Sequence, residues 1–437
     1  MSQQIDTAVI LAGGLGTRLG GLAHRIPKAL VPVGDRPLLA HQIGCLRRAG
    51  VTRVVVVTGH LAEKIEEFGG DGGQFGLAVE YFREATPLGT GGAFGALRDR
   101  LPERFFVLYG DVLFDVDLGR MTRFHSAHPG LATLLVHPND HPADSDLVTL
   151  GPGGVVTDIV PKNVGRIGWH RNLVNAGVFV LERALLDGAP VGARRDLERD
   201  LLAPAIPRGE VYGYRSTEYV KDLGTPARLE LVRRHAASGL VAARSLRRPQ
   251  RAVFLDRDGT LNEHVGLVSE PGQLRVTEDA YAALAALNDS DRLSIVVTNQ
   301  PVVARGHCSL AGLDEIHRKL ETELGDRGVY VDDLFFCPHH PDAGFPGENP
   351  LYKVPCDCRK PGTALIEEAA ERYHIDLSAS WFIGDTTVDV QTGRNAGMRT
   401  ILLRTGEAGT DAKHAVAADH TVDDLKAATK IVLDERT

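Results

Sequence analysis

The stretch RAVFLDRDGTLN, residues 251–262, constrains the fold of this chain more than any other. Its first half is a short apolar run that predicts a buried strand, and Asp256 and Asp258 follow directly. An open parallel sheet places its active site at the carboxyl ends of its strands. There, one carboxylate can attack a phosphoryl group while a second shuttles the proton. The alternative is an aspartate-rich turn whose side chains bond only their own backbone.

Polar side chains follow further apolar runs in the second half of the chain. Thr298 ends the run that starts at Leu293, and its hydroxyl can hold a phosphoryl oxygen. Lys360 supplies a cation that can stabilise the charge on the nucleophile and the phosphate. Asp385 follows the run at Trp381–Ile383, with Asp389 four residues on, which we interpret as a supporting group. Together these residues predict a phosphoryl-transfer site.

The order of these residues resembles the four motifs of the haloacid dehalogenase superfamily of phosphatases. The resemblance implies an aspartyl nucleophile at Asp256, a proton shuttle at Asp258, and Mg²⁺ held by both together with Asp385. DRDGTLN, TNQ and CDCRKP are similar to one branch, the D-glycero-D-manno-heptose 1,7-bisphosphate 7-phosphatases, whose relatives are the histidinol-phosphate phosphatases. That branch implies substrate contacts from Asn299, Arg305 and Arg359. Pro301-Val302-Val303 replaces the usual Ser-Gly-Ile beside the substrate, which leaves the exact substrate open.

Four potential metal ligands cluster in the same half, in the order CxH and then CxC: Cys337, His339, Cys356 and Cys358. Three sulfurs and one nitrogen suit tetrahedral Zn²⁺. Because four protein ligands leave no position for a reactive water, we expect this zinc to be structural and to close the loop that carries Arg359 and Lys360. Unrelated cysteines in a loop are the alternative.

The first half opens with the predicted strand Thr7–Ala12 and the glycine-rich run GGLGTRLGG. Its spacing fits neither a Rossmann loop nor a P-loop. Two cations, Arg18 and Lys28, flank the glycines and can neutralise a triphosphate. AGGLGTRL with PKALVPVG resembles the sugar-phosphate nucleotidyltransferases from about Thr7 to His235. The resemblance implies that Arg18 and Lys28 act catalytically on the phosphates of a nucleoside triphosphate, with Gly13 and Gly14 near the base.

The same family resemblance assigns roles to later positions in the first half. EATPLGTGG, which contains Gly89, implies a loop against the nucleoside. Asp111, at the end of an apolar run, and Asp222, in EYVKDLGTP, are the implied Mg²⁺ ligands. Lys162 resembles the lysine that contacts the sugar phosphate, and Asn175, in Asn-Ala-Gly, resembles a sugar-binding residue.

With 437 residues, two or three domains are expected at ~150 residues each. We predict two doubly wound α/β domains: a Rossmann-like nucleotidyltransferase domain at 1–237 and a haloacid dehalogenase-like domain with a small zinc loop at 251–437. The basic segment 238–250 is the predicted linker. A net charge of −8 with mixed signs argues against nucleic acid or a membrane as partner. The sequence shows no leader pattern and no apolar run of membrane-spanning length. Its five cysteines do not make a disulfide framework, so the chain is predicted to be cytoplasmic.

We therefore predict a bifunctional enzyme whose partners are sugar phosphates and a nucleoside triphosphate. The phosphatase half would convert a heptose 1,7-bisphosphate to the 1-phosphate, and the transferase half would form a nucleotide sugar and pyrophosphate. GTP and GDP-heptose are the first choice, and ATP and ADP-heptose the second. The alternatives are a GDP-mannose-type transferase fused to a histidinol-phosphate-like phosphatase, or one half acting as a non-catalytic sugar-nucleotide sensor. A homo-oligomer is compatible with the sequence.

Overall fold

The structure is a computed structural model that describes residues 4–14, 25–162, 165–342, 344 and 346–435. The chain divides into two compact units, the first comprising 1–137, 146–161 and 173–247, and the second comprising 138–145, 162–172 and 248–437. The segments 138–145 and 162–172 thus lie in the second unit although they fall within the predicted first domain. The domain boundaries themselves stay a prediction. Within the described residues, no helix combines the length and apolarity needed to cross a membrane.

The first unit is built on a mixed sheet. Its strands, with two short ladders beside it, are β1 (Thr7–Leu11), β2 (Pro32–Val33), β3 (Arg36–Pro37), β4 (Arg53–Thr58), β5 (Ala78–Arg83), β6 (Arg104–Tyr109), β7 (Val112–Phe114), β8 (Ala132–His137), β9 (Leu147–Leu150), β10 (Val156–Val160), β11 (Val174–Glu182), β12 (Val211–Arg215) and β13 (Val220–Asp222). The main sheet runs β10-β9-β11-β6-β1-β4-β5, and β8 pairs with both β11 and β12. Strands β6, β1, β4 and β5 are mutually parallel, whereas β11 is antiparallel to β6.

Strand β1 lies inside this sheet because both of its faces are apolar. Ala8 and Ile10 belong to one buried cluster, while Val9, which points to the opposite face, belongs to another. A strand covered on both faces reads as a continuous hydrophobic run, as this one does. The helices of the unit are α1 (Leu38–Arg48), α2 (Ala62–Gly69), α3 (Phe94–Leu97), α4 (Leu118–Ala127), α5 (Pro226–Ser238) and α6 (Leu240–Ala243).

The second unit contains a parallel sheet. Its strands are β14 (Arg251–Leu255), β15 (Arg292–Asn299), β16 (Asp333–Cys337), β17 (Trp381–Gly384), β18 (Arg399–Leu403) and β19 (His420–Val422), in the spatial order β16-β15-β14-β17-β18-β19. Its helices are α7 (Glu278–Asn288), α8 (Leu310–Asp326), α9 (Ala364–Tyr373), α10 (Thr387–Asn395) and α11 (Leu425–Asp434). The strand order reverses direction at β14, so the loops after β14, β15 and β17 converge.

Helix α8 also holds the segment 165–172 within the second unit. Arg171 donates to Glu321 at 2.6 Å and to Asp314 at 2.7 Å. The backbone N–H of Asn172 donates to the other oxygen of Glu321. These charge-assisted contacts fix the segment to one face of the helix.

The predicted α/β fold class is confirmed for both halves, with one difference in the first. Its sheet is mixed: β6, β1, β4 and β5 are parallel and β12 is parallel to β8, whereas β11 is antiparallel to both β6 and β8, and β10 is antiparallel to β9. The predicted linker is partly helical, since α6 lies within it. After α6, the N–H of Leu246 donates to the buried carboxylate of Glu218, which ties this part of the linker to the first unit.

Candidate active sites

The centre of the second unit's site is a buried ammonium group between two carboxylates. Lys360 Nζ lies 2.8 Å from Asp256 Oδ1 and 2.6 Å from Asp389 Oδ1, and its side chain is 2% exposed. Although burial lowers the pKa of Lys360, the two carboxylates outweigh it and raise that pKa above its ordinary value. Burial raises the pKa of Asp256 to about 6, against the opposing charge of Lys360. The predicted nucleophile and the predicted cation are therefore in direct contact.

Asp385 joins Asp256 and Asp389 in a group whose carboxylate oxygens all lie within 4.8 Å of one another. Burial first, and then the charges of Asp256 and Asp389, raises the pKa of Asp385 to about 8. Carboxylates held this close oppose each other's ionisation unless a cation shares the site, and hard oxygen ligands suit Mg²⁺. Asp389 is thus part of the carboxylate group itself, whereas the sequence suggested only a supporting role.

Asp258 lies in a different environment from these three carboxylates. Arg257 donates to both of its oxygens, at 2.9 and 2.8 Å, while Asn262 donates to Oδ1 and Gln300 to Oδ2. Burial would raise the pKa of Asp258, but Arg257 and the two amides hold it below its ordinary value. In this conformation the side chain is a hydrogen-bond acceptor at both oxygens. Its assignment as an Mg²⁺ ligand stays a prediction.

The loop after β15 brings two further predicted residues to the same place. Thr298 is buried at the carboxyl end of the strand. Asn299 exchanges two hydrogen bonds with the backbone of Lys360, donating at 3.1 Å and accepting at 2.9 Å. This pairing fixes the backbone from which the Lys360 ammonium projects. The structure thus gives Asn299 a positioning contact, and its predicted contact with substrate stays a prediction.

The four predicted zinc ligands converge, with one donor atom from each within 4.8 Å of the others. Cys358 Sγ lies 3.2 Å from Cys337 Sγ, 3.3 Å from Cys356 Sγ and 3.3 Å from His339 Nδ1. Such mutual spacing fits four atoms arranged around one tetrahedral ion. Since Arg359 and Lys360 follow Cys358 directly, an ion here would fix the loop that delivers both.

Cationic side chains surround the same loop. Arg359 donates to the carbonyl of His339, and Arg305 Nη2 lies 3.5 Å from His340 Nε2. Burial, followed by the charges of Arg359, Arg305 and Lys353, lowers the pKa of His340. Lys353 is buried beside the carboxylate of Glu348, at 3.5 Å. The loop therefore gathers three cations around a neutral imidazole.

The two predicted metal ligands of the first unit are brought together by a short ladder. Strand β13 pairs antiparallel with β7 so that Asp222 lies opposite Val112, and the N–H of Leu223 donates to the carbonyl of Asp111. Each of the two carboxylates forms an ion pair with a basic side chain. Lys28 lies 3.0 Å from Asp111, and Arg228 lies 2.8 Å from Asp222. The predicted phosphate-binding lysine and the predicted metal ligand are thus neighbours.

Two glycine-containing loops of the first unit are shaped by close backbone approaches. Gly89 has φ +78°, and a Cβ there would meet the carbonyl oxygen of Arg195 at 2.3 Å, so no other residue fits. Gly13 and Gly14 follow β1 after Ala12, and a Cβ on Gly13 would meet Glu84 Oε2 at 3.1 Å. Gly89 and Gly13 therefore lie where the backbone has little room for a side chain, whereas a Cβ on Gly14 would meet nothing within 4 Å.

Asn175, the predicted sugar-binding residue, donates to Glu198 Oε1 at 2.7 Å. Tyr109, at the end of β6, donates its hydroxyl to the same oxygen. Burial raises the pKa of Glu198 to about 7, against the effect of Tyr109. Lys162, the predicted sugar-phosphate contact, lies in the second unit, and Arg18 lies outside the described residues.

Sequence reasoning missed several residues of these sites. Arg257 and Gln300 stand inside the quoted DRDGT and TNQ strings, but nothing in a string shows that their side chains fold back onto Asp258. Arg228 stands in the first turn of α5, six residues after Asp222. Glu198 has no motif of its own, and only its hydrogen bonds with Tyr109 and Asn175 in the folded chain reveal it.

Comparison with known proteins gives two families, one for each half. The nucleotidyl transferase family matches residues 7–238, and the HAD-hydrolase-like family matches residues 357–428. The chain belongs to the nucleotidyl transferase family through its first half and to the haloacid dehalogenase-like phosphatases through its second.

The chain is similar to named proteins of both kinds. A D-glycero-D-manno-heptose-1,7-bisphosphate 7-phosphatase of Chlorobaculum tepidum is 35% identical over 43% of this chain and 96% of its own length. A mannose-1-phosphate guanylyltransferase of Mycobacterium tuberculosis is 30% identical over 70% of this chain and 83% of its own. A crystal structure of D,D-heptose 1.7-bisphosphate phosphatase from B. bronchiseptica, complexed with magnesium and phosphate, is 32% identical over 43% of this chain and 100% of that one, with a TM-score of 0.38.

Proposed function

We propose that this chain carries out two consecutive reactions on one sugar. The second half removes the 7-phosphate of D-glycero-D-manno-heptose 1,7-bisphosphate. The first half then joins the remaining heptose 1-phosphate to GMP from GTP, giving GDP-heptose and pyrophosphate. The order follows from the chemistry, because the 1-phosphate must survive the first reaction to act as the nucleophile of the second.

The observation that carries the phosphatase assignment is the charge of the loop around the site. Arg305 and Arg359 contact the His339-His340 stretch of the loop that leads to Lys360, and Lys353 pairs with Glu348 there, with Asp342 as a second acidic neighbour. A bisphosphate brings a second anion for these groups to bind. Histidinol phosphate brings an ammonium group instead, which this loop would repel. The charge therefore favours the bisphosphate over the related amine substrate.

Asp256 is suited to attack phosphorus because the described contacts occupy only its Oδ1, which accepts from Lys360 and from the N–H of Arg257. As the aspartyl-phosphate forms, the bond from phosphorus to the sugar oxygen breaks, and that oxygen takes a proton from Asp258, whose carboxyl must for this step be protonated and released from the Arg257 contacts that lower its pKa. Water then attacks phosphorus, Asp258 takes its proton, and phosphate and free Asp256 result. Lys360 and Thr298 hold the phosphoryl oxygens throughout.

We assign the two metals of this half as follows. Asp256 and Asp385, together with Asp258 as the sequence predicts and Asp389 from the observed carboxylate group, would hold Mg²⁺, which when bound supplies positive charge to the phosphoryl oxygens. Cys337, His339, Cys356 and Cys358 would hold a structural Zn²⁺. The convergence of these oxygens and of these sulfurs and nitrogen supports both assignments.

In the first half we assign Arg18 and Lys28 to the triphosphate, and Asp111 with Asp222 to a second Mg²⁺. Lys162 and Asn175 would bind the sugar phosphate, whose oxygen attacks the α-phosphorus in line as pyrophosphate leaves. The contact of Lys28 with Asp111 supports a shared phosphate and metal site. The guanylyltransferase named among the relatives favours GTP, and a guanylyl product is expected to be the α anomer.

The test uses the whole chain with the bisphosphate, GTP and Mg²⁺. We expect inorganic phosphate, pyrophosphate and GDP-heptose, with the reaction halting at heptose 1-phosphate when GTP is omitted. Phosphate release is followed colorimetrically, and the nucleotide sugar is resolved by chromatography. Histidinol phosphate and ATP serve as the competing substrates in parallel reactions.

Each alternative outcome has a distinct meaning. Hydrolysis of histidinol phosphate with the bisphosphate untouched would overturn the heptose assignment. Consumption of ATP but not GTP would retain the reaction class and overturn the choice of base. Phosphate release without any nucleotidyl transfer from GTP, ATP, CTP or UTP would support the alternative in which the first half is a sugar-nucleotide sensor.

A further inference from the structure

Gln300 connects two predicted catalytic side chains of the phosphatase site. It is 2% exposed and follows Thr298 by two residues at the end of β15. Its Nε2 donates to Asp258 Oδ2 at 2.8 Å and to Thr298 Oγ1 at 3.0 Å. Its Oε1 accepts from Arg257 Nη2 at 3.0 Å. All three polar contacts of this amide therefore lie within the site.

The orientation of this amide is fixed by its neighbours. In the opposite orientation, an oxygen would face the Asp258 carboxylate and a nitrogen would face the Arg257 guanidinium. Both contacts would then be repulsive, so the flipped amide is excluded. The nitrogen thus donates to Asp258 and to Thr298, and the direction of both hydrogen bonds follows.

This direction determines where the Thr298 hydroxyl can point its hydrogen. A hydroxyl carries one hydrogen, and here its oxygen already accepts from Gln300. None of the described residues accepts a hydrogen bond from Thr298. The hydrogen is consequently left to donate to a phosphoryl oxygen, which is the contact that phosphoryl transfer requires.

We propose that Gln300 is a positioning residue, whose side-chain amide turns the Thr298 hydroxyl hydrogen toward the substrate and orients the Asp258 carboxylate. The inference rests on the proposed phosphatase chemistry and deepens it. Both contacts come from the two hydrogens of one nitrogen. One substitution therefore disturbs the phosphoryl contact and the proton shuttle together.

The test compares Gln300→Leu and Gln300→Glu in the full chain. Leucine removes both donors at similar volume. Glutamate keeps an acceptor for Arg257 but places an oxygen where the nitrogen was, so that it accepts from Thr298 and repels Asp258. We expect kcat for phosphate release to fall about 100-fold in Gln300→Leu and at least as far in Gln300→Glu. Gln391→Leu, on the exposed side of α10, is the matched control, and nucleotidyl transfer is the internal one.

Two readouts separate positioning from simple packing. An aryl phosphate such as para-nitrophenyl phosphate needs little help from an acid, because its leaving group is good. We therefore expect Gln300→Leu to slow the sugar phosphate more than the aryl phosphate. Inhibition by inorganic phosphate should weaken by about tenfold, the factor for one lost hydrogen bond to a charged group.

A double-mutant cycle completes the test. In a Thr298→Val, Asp258→Asn background, Gln300→Leu should cost less than about threefold, because its targets are already gone. Unchanged kcat in Gln300→Leu, equal losses on both substrates, or full additivity in the cycle would overturn the inference. Absence of phosphatase activity in the wild-type chain would instead overturn the proposed function.

Discussion

Replacing Lys360 by Met should destabilise the second unit strongly as well as silence the phosphatase. The ammonium lies 2.8 and 2.6 Å from Asp256 and Asp389, and its side chain is 2% exposed. Removing one partner of a buried ion pair costs about 3–5 kcal/mol, because the remaining charge is left without compensation. The ammonium also lies over the Phe382 ring, 5.4 Å from its centroid, and methionine is an unbranched side chain of similar length, so the main loss is that of the charge.

The sign of the pH dependence follows from the carboxylates. Without Lys360, the pKa of Asp256 should rise further, because the charge that opposes the effect of burial is gone. A carboxyl group whose pKa is raised by folding destabilises the folded protein progressively as pH rises from the ordinary pKa of the group to the raised one. The destabilisation should therefore be larger at pH 8 than at pH 5. Millimolar Mg²⁺ should restore part of it at pH 8, since a bound cation replaces the missing charge.

Urea unfolding followed by tryptophan fluorescence measures this directly, because the two tryptophans, Trp169 and Trp381, both belong to the second unit. Lys430→Met, which removes an exposed lysine paired with Asp434, is the control and should cost less than about 1 kcal/mol. Phosphate release should fall by about 10²–10³-fold in Lys360→Met, while nucleotidyl transfer persists. An unfolding free energy equal to that of Lys430→Met, or a deficit that grows at low pH, would refute this reasoning.

Four further variants test the two units separately. Asp256→Asn should abolish phosphate release and leave nucleotidyl transfer within a few-fold; substantial phosphatase activity would exclude Asp256 as the nucleophile. Asp222→Asn should silence transfer alone, and a folded variant that also lost phosphatase activity would contradict separate sites. Cys356→Ser should lower both zinc content and the urea midpoint of the tryptophan signal, since structural zinc contributes folding free energy directly; metal analysis that finds no zinc in the wild-type chain, purified without chelator, would count against the site. Glu218 is buried, and burial raises its pKa to about 7, so Glu218→Gln should remove about 3 kcal/mol of stability loss between pH 5 and pH 8, as measured by circular dichroism; an unchanged pH dependence would show that Glu218 is not the cause.

The sequence alone predicted the positions of those site residues that follow an apolar strand within a recognisable motif. Asp256, Thr298 and Asp385 were placed correctly at the ends of parallel strands, because their apolar runs are short and bounded. The convergence of the four predicted zinc ligands was likewise predictable from their spacing. These features depend on local sequence, which a single chain displays directly.

The sequence did not predict the direction in which side chains point or the contacts between residues far apart in the chain. Nothing in DRDGT indicates that Arg257 folds back to hold Asp258, or in TNQ that Gln300 bonds to both Thr298 and Asp258. The placement of residues 165–172 depends on Arg171 meeting Asp314 and Glu321, which stand far along the chain. Such contacts depend on packing, which the order of residues specifies only through the complete fold.

The ladder of β7 and β13 limits how this chain can vary in length. Its three residue pairs, from Val220 opposite Phe114 to Asp222 opposite Val112, set the position of one aspartate against the other. Inserting a single residue into either strand would turn Asp222 to the opposite face, because strand side chains alternate. In the long stretch between the two strands, the loops that join its own strands and helices carry no such constraint. Insertions and deletions should therefore be tolerated across its surface loops, whereas either three-residue strand should reject even one.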